Sequence, residues 1–182
     1  MKLRLKELNK KMKQDLNLPW ASANLVYGEG HPLAAIVFIG EAPGAAEDLA
    51  GRPFVGRSGK LLDKSLAEIG LDRSQVYITN IVKRRPPNNR DPRMEEIKAY
   101  APYLEEELKI IKPKIIVSLG RLSLNYFFPQ LKISQVQGQI LELEAGLKLI
   151  PAFHPAATFY RSKNLKDFKA SFLLLARTMS QN

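Results

Sequence analysis

Apolar and polar positions along the chain set out buried strands separated by amphipathic helices. Leu5, Leu8, Met12 and Leu16 recur at helical spacing, with six Lys or Arg among residues 2 to 13, which predicts a helix with a basic outer face. AAIVFIG (34–40) is a continuous apolar run ending in glycine, the pattern of a strand covered on both faces. KLLDKSLAEIG (60–70) reads as a helix stopped by Gly70. QVYITNIV (75–82) predicts a second strand, and KRRPPNNRDP (83–92) a basic loop. EEIKAYAPYLEEELKII (95–111) is helical, with Ile97, Ala101, Leu104, Leu108 and Ile111 on one face and Pro102 expected to start or kink it. KIIVSLG (114–120) is a third strand, followed by a short helix at RLSLNYFF. QVQGQILELEAGLKLIPAF (135–153) predicts a hairpin, and a last helix runs through DFKASFLLLAR (167–177).

Buried strands alternating with helices predict an α/β fold: a three-layer α/β/α sandwich around a central four-stranded, mostly parallel sheet, as a single domain over 1–182. No internal repeat or low-complexity linker interrupts it. Three motifs fall just past strand ends: GEAPG after the first, Asn80 near the end of the second, and His154-Pro155 after the last. Open α/β sheets bind ligands outside the carboxyl ends of their strands, so these three should converge.

Composition sharpens the kind of ligand. Lys and Arg number 28 against 18 Asp and Glu, a formal charge of +10, which suits a polyanionic partner. The chain has no cysteine, so disulfides, thiolate metal sites and cysteine nucleophiles are excluded. No apolar run approaches the ~20 residues of a membrane span, and the basic N-terminus lacks a continuous apolar segment. A cytoplasmic, nucleoid-associated protein without membrane partners is expected.

Within that basic chain, GEAPGAAEDLAGRPFVGRSG (40–59) holds five glycines, two prolines and three carboxylates. Together with TNIVKRRPPNNRDP and HPAA it resembles the successive motifs of a family 4 uracil-DNA glycosylase, over most of the chain from about Tyr27 to Arg161. The resemblance implies an α/β/α fold and removal of uracil from DNA by base flipping, which leaves an abasic site. Uracil-binding positions are then Gly40, Ala42, Phe54, Asn80 and His154. Phe54 is the stacking aromatic, unless it merely packs under the loop. Asn80 is the reader, its amide offering a donor and an acceptor to uracil O4 and N3–H, unless it only caps a turn. His154 faces uracil O2, where negative charge develops as the bond breaks. His31 matches no motif and reads as surface.

Catalytic candidates are Glu41, Glu47, Asp48 and His154. Family 1 enzymes carry an Asp and a Tyr in the first motif, and the equivalent places here are Ala42 and Gly44. Resemblance to family 4 puts Glu47 in the position that excludes the thymine methyl. Glu41 and Asp48 could stabilise the cationic sugar, orient water or cap helix N-termini. Arg57, Ser58 and Gly59 follow Gly56 into a helix N-terminus suited to phosphate. Lys83, Arg84, Arg85, Arg90 and Arg93 make a basic loop. Phe159 or Tyr160 is the wedge entering the duplex, and Arg161 binds phosphate. The expected partner is uracil-containing DNA, single- or double-stranded, bound by a monomer.

Family 4 enzymes hold a [4Fe–4S] cluster through four cysteines, and the corresponding positions here are Lys13, Leu16, Arg84 and Tyr100. None suits such a cluster, so no cofactor is expected. Leu16 should instead bury against Tyr100, near Leu18 or Trp20. Lys13 and Arg84 should turn to solvent, a carboxylate such as Glu96, or DNA. Alternatives are a glycosylase for hypoxanthine or xanthine, and a non-catalytic DNA-binding module. The basic loop lacks the histidine of the covalently trapping relatives.

Overall fold

In the computed structural model, which describes residues 1–180, the strands are β1 (Glu29–Gly30), β2 (Ile36–Gly40), β3 (Tyr77–Asn80), β4 (Ile115–Leu119), β5 (Leu141–Glu142) and β6 (Lys148–Ala152). They form one sheet of order β1-β3-β2-β4-β6-β5. The inner four, β3-β2-β4-β6, pair in parallel, and the two-residue edge strands β1 and β5 pair antiparallel. The expected four-stranded parallel sheet is therefore the middle of a six-stranded mixed one. Two-residue edges are too short to show a period of two in sequence.

The helices are α1 (Lys2–Gln14), α2 (Ala45–Ala50), α3 (Arg57–Glu68), α4 (Met94–Ile111), α5 (Arg121–Phe127), α6 (Ile133–Val136) and α7 (Ser162–Ser180). Alternation along β2 sends Val37 and Ile39 to one face and Ile36 and Phe38 to the other, so each face needs its own helical layer. Leu5, Leu8 and Met12 of α1 join Ile97, Tyr100 and Leu104 of α4 on the first. Leu62 and Leu66 of α3 join Phe168, Phe172 and Leu175 of α7 on the second, where Phe38 and Phe172 stack at 5.7 Å between ring centroids. Each such side chain contributes about 1.5–3 kcal/mol on burial.

Three local expectations change. α1 stops at Gln14, and Asp15 is extended (ψ 103), so the helical period ends before Leu16. Leu16 is 91% exposed and Leu18 takes its place in the core at 4%. Of the two places expected for Pro102, the start is ruled out: it lies within α4, on the exposed side, where water can take the carbonyl left without a donor. The predicted hairpin reduces to β5 and β6, and residues 133–136 form a helical turn.

After β2 the chain crosses to β3 on one side, and after β4 it crosses to β6 on the other. The crevice between the carboxyl ends of β2 and β4 is thus the topological switch point, where doubly wound sheets bind ligands.

Candidate active site

A cleft of about 470 Å³ opens at this switch point and collects residues from the ends of β2, β3 and β6 together with the loop before α3. Gly40 makes its floor possible. A Cβ there would come within 2.3 Å of Asn80 Oδ1 and 2.5 Å of Phe54 Cζ, so glycine lets the ring and the amide close over the end of β2. Gly40 also pairs with Asn80 across the sheet. Asn80 is 2% exposed, and its Oδ1 is buried with no hydrogen-bond partner among the described residues. An orphan of this kind costs on the order of 1–3 kcal/mol unless a ligand satisfies it.

Phe54 sits at φ 51, a left-handed backbone that a bulky residue adopts only under constraint. The constraints are visible. Arg73 donates to the Phe54 carbonyl at 3.1 Å and to the Pro53 carbonyl. A Cβ on Gly59 would lie 1.8 Å from the Phe54 carbonyl oxygen, so Gly59 acts by its missing side chain. Glu47 completes the brace: Oε1 accepts from the Val55 and Gly56 N–H groups at 3.0 and 2.9 Å, and Oε2 from Gly44 N–H at 3.1 Å. Its carboxylate lines the cleft with most of its acceptor capacity committed to backbone.

The His154 ring lies 5.9 Å from that of Phe54. Its Nδ1 accepts from Ala156 N–H at 3.1 Å, which leaves the proton of the neutral ring on Nε2. Burial lowers its pKa to about 4, with nearby Glu47 opposing, so the ring is neutral at physiological pH. Glu41 is its neighbour across Gly120, whose Cβ would meet Glu41 Oε1 at 2.4 Å and His154 Cβ at 3.1 Å. Gly120 has φ +106, so two demands coincide on one glycine. Glu41 Oε1 accepts from Leu122 N–H at 2.8 Å, and burial raises its pKa.

Other expected residues go elsewhere. Asp48 is absent from the cleft lining. One position further along α2 than Glu47, it is turned about 100° away, and it accepts from Asn24 N–H at 2.8 Å. Lys83 is fully buried and paired with Glu107 at 2.5 Å, so it cannot reach phosphate. Arg84 is 9% exposed and donates to the Leu18 carbonyl at 3.5 Å, so it too is withdrawn from a DNA surface. Arg85 is held by Asn89 at 2.7 Å. Arg90 lines the cleft while its guanidinium grips Glu96 at 2.5 and 2.7 Å, taking the carboxylate foreseen for Lys13 or Arg84. Lys13 and Arg93 are exposed.

Arg57 and Ser58 line the cleft at the start of α3, and the Arg57 guanidinium sits 3.9 Å from the centroid of Phe159. Phe159 is thereby pinned, whereas Tyr160 is 86% exposed beside an exposed Arg161. His31 is exposed, as expected. Asn89 and Asp91 line the cleft without having been foreseen, Asp91 bound to Arg121 of α5 at 2.7 Å. NNRD advertised only polarity, and nothing local marked Arg121 or Glu107.

The four positions matching the cluster cysteines do not fit an iron–sulfur group. Lys13 and Leu16 are exposed, while Arg84 and Tyr100 are buried among protein neighbours. No group of three or more His, Cys, Asp or Glu suited to a metal ion occurs among the described residues. Tyr100 donates to the Pro19 carbonyl at 2.8 Å and stacks on Trp20 at 6.2 Å. The partners foreseen for Tyr100 are thus half right: Trp20 touches it and Leu16 does not. No helix among the described residues is long and apolar enough to cross a membrane.

The family model described as the Uracil DNA glycosylase superfamily matches residues 27–176. Three relatives are each called Type-4 uracil-DNA glycosylase. That of Sulfurisphaera tokodaii is 49% identical over 158 residues, 82% of this chain and 72% of the relative. That of Archaeoglobus fulgidus is 46% identical over 157 residues, 82% and 79% respectively. That of Saccharolobus solfataricus is 45% identical over 166 residues, 86% and 77%. The match spans every strand that builds the cleft, and the chain belongs to the uracil DNA glycosylase superfamily.

Proposed function

We propose that this chain is a monofunctional uracil-DNA glycosylase of base-excision repair, and that it works without a metal cluster. The observation that carries the reading is the buried, unpartnered Asn80 Oδ1 of a residue that lines the same pocket as Phe54 and a neutral His154. A flipped uracil stacks on Phe54 while Asn80 pairs with O4 and N3–H. Cytosine presents the opposite donor–acceptor pattern and is refused. The Nε2–H of His154 donates to O2. Being neutral, it stabilises charge developing there without giving up its proton in the ground state.

As the N-glycosidic bond breaks, its electron pair leaves with uracil N1 and the sugar becomes cationic at C1′. The Glu41 carboxylate stabilises that cation and orients the water whose oxygen bonds to C1′, while the water's proton ends on solvent. Glu47 walls the side of the ring where thymine carries its methyl. Gly40 and Ala42 bring backbone close to the base. Arg57, Ser58 and Arg161 hold phosphates, and Tyr160, exposed where Phe159 is pinned, is the wedge. A single domain acting as an intracellular monomer on single- and double-stranded DNA completes the reading.

The test is incubation with single-stranded uracil and U:G oligonucleotides. Alkali-labile sites without cleavage before alkali are expected. Hypoxanthine or xanthine excision in place of uracil would redirect the pocket, and no abasic product with any base would leave a DNA-binding module.

A further inference from the structure

Lys83 belongs by sequence to a Lys-Arg-Arg run, yet its side chain is fully buried. Its ammonium makes three hydrogen bonds: to Thr79 Oγ1 at 2.5 Å, the Asn80 carbonyl at 2.8 Å and Glu107 Oε2 at 2.5 Å. Those use all three of its donors. Glu107, also fully buried, reaches in from α4 and accepts from Thr79 Oγ1 at 3.1 Å and from Tyr77 Oη at 3.2 Å. The network is closed, and its members on β3 are Tyr77, Thr79 and Asn80. β1 ends opposite Ile78, so the edge strand gives no support at the level of Thr79 and Asn80.

We propose that Lys83 and Glu107 are positioning residues that fix the register of the Asn80 amide, and with it the discrimination of uracil from cytosine. The proposal rests on the reading of Asn80 as base reader. A buried ion pair is poor evidence for stability, since apolar replacement of both partners is often neutral. Here the ammonium holds the main chain of the residue that carries the reading amide, through that residue's own carbonyl. β2 ladders the other side of Thr79 and Asn80, so loss of that hydrogen bond loosens the end of β3 on its outer side only, and the fold persists. Among the described residues the Asn80 Oδ1 has no partner to hold it in place.

The test uses Lys83→Met with Glu107→Gln, which removes both charges while the Gln carbonyl can still accept from one of the two hydroxyls and its amide N–H can donate to the oxygen of the other. The double variant should keep its urea midpoint and its affinity for uracil-free single-stranded DNA. Its single-turnover uracil excision should fall about tenfold or more, and inhibition by free uracil should weaken by about the same factor, as for removal of one hydrogen bond. Introduced into Asn80→Ala, the same pair should add no further loss, because it acts through Asn80. Thr79→Val, which cuts one strand of the network, should move rate and uracil inhibition the same way by about two- to fivefold. It decides the matter if the double variant does not fold. Parental rate and parental uracil inhibition in a folded double variant, or in Thr79→Val, would overturn the proposal. So would full additivity with Asn80→Ala. Absence of excision by the unaltered protein would instead defeat the uracil reading itself.

Discussion

The cleft and the corner where α1 meets α4 lie on either side of the loop after β3 and are built by opposite rules. In the corner, polar groups are spent on protein: Tyr100 on the Pro19 carbonyl, Tyr103 on Asp15 at 2.6 Å, Arg84 on the Leu18 carbonyl. In the cleft, the Asn80 amide keeps an unsatisfied oxygen, and Phe54 keeps a strained backbone. The corner too has a left-handed residue, Trp20 at φ 61, so what marks the ligand site is an unsatisfied acceptor and a left-handed aromatic that line one cleft. Arg84 Nε and Asn9 Oδ1 of α1, both buried without a partner among the described residues, are the corner's exceptions.

The comparison breaks most visibly at Tyr100. Its replacement by Ala should destabilise the protein by about 3–5 kcal/mol in urea denaturation, while the fraction still folded excises uracil at the parental rate. A lower rate per folded molecule would show that the corner belongs to the active site. His154→Ala should do the reverse, lowering single-turnover excision by about 10²–10³-fold with DNA affinity within a factor of about two, since its partner charge exists chiefly in the transition state. Weakened DNA binding of matching size would assign His154 to the ground state. Asn80→Asp should cost about 1–3 kcal/mol of barrier on uracil and admit cytosine, which uracil and cytosine oligonucleotides assayed in parallel would show.

Much of this architecture was legible because its signals are local. Continuous apolar runs fix the inner strands, and the glycines of 40–59 mark the loop that closes over Gly40. Glu47 stands out in that loop and lines the cleft, but its triple backbone bond depends on how α2 sits against residues 55 and 56. The misplacements share a cause. Lys83 reads as surface because its neighbours are basic, and its partner Glu107 lies 24 residues away on a helix rich in glutamate. Leu16 continues a period that Asp15 ends. Asp48 adjoins Glu47 in sequence and parts from it in space. Burial of a charge and the stop of a helix are settled by tertiary partners, which a one-dimensional pattern does not name.

The pH dependence separates the two carboxyl-end groups. Burial lowers His154 to about 4, so the ring stays neutral in the folded protein from pH 8 to about 5, and its contribution to rate is flat there. In the unfolded chain it protonates near 6.5. Stability therefore falls as pH drops between about 6.5 and 4 and is unaffected by this group above that window. Glu41 has the opposite sign: its raised pKa means folding prefers the protonated form, and stability falls as pH rises through the folded value. The acid limb of excision should then lie above the ordinary 4.5 of a glutamate and vanish in Glu41→Gln. An acid limb above about pH 5, where His154 is still neutral, that survives this substitution would remove Glu41 from the chemistry.

On the surface the effects are smaller. Neutralising Arg57 and Arg161 together should reduce the log–log salt slope of duplex binding by roughly 0.9 for each phosphate no longer paired with a cation. Arg84→Met should leave that slope unchanged and alter stability by about 1 kcal/mol or less, because a buried guanidinium bound to a carbonyl touches no phosphate. A slope that drops in Arg84→Met would place DNA against the corner after all.

We propose above that one chain reads uracil in an intact pocket while ordinary packing occupies the place of a metal cluster. It is tested most directly by measuring iron content and single-turnover excision on the same chelator-treated, purified sample. A colourless protein, iron well below one atom per chain, and full conversion of a uracil oligonucleotide to an alkali-labile site with cytosine untouched are expected. Stoichiometric iron, or activity that disappears with the chelator and returns with added metal, would contradict it.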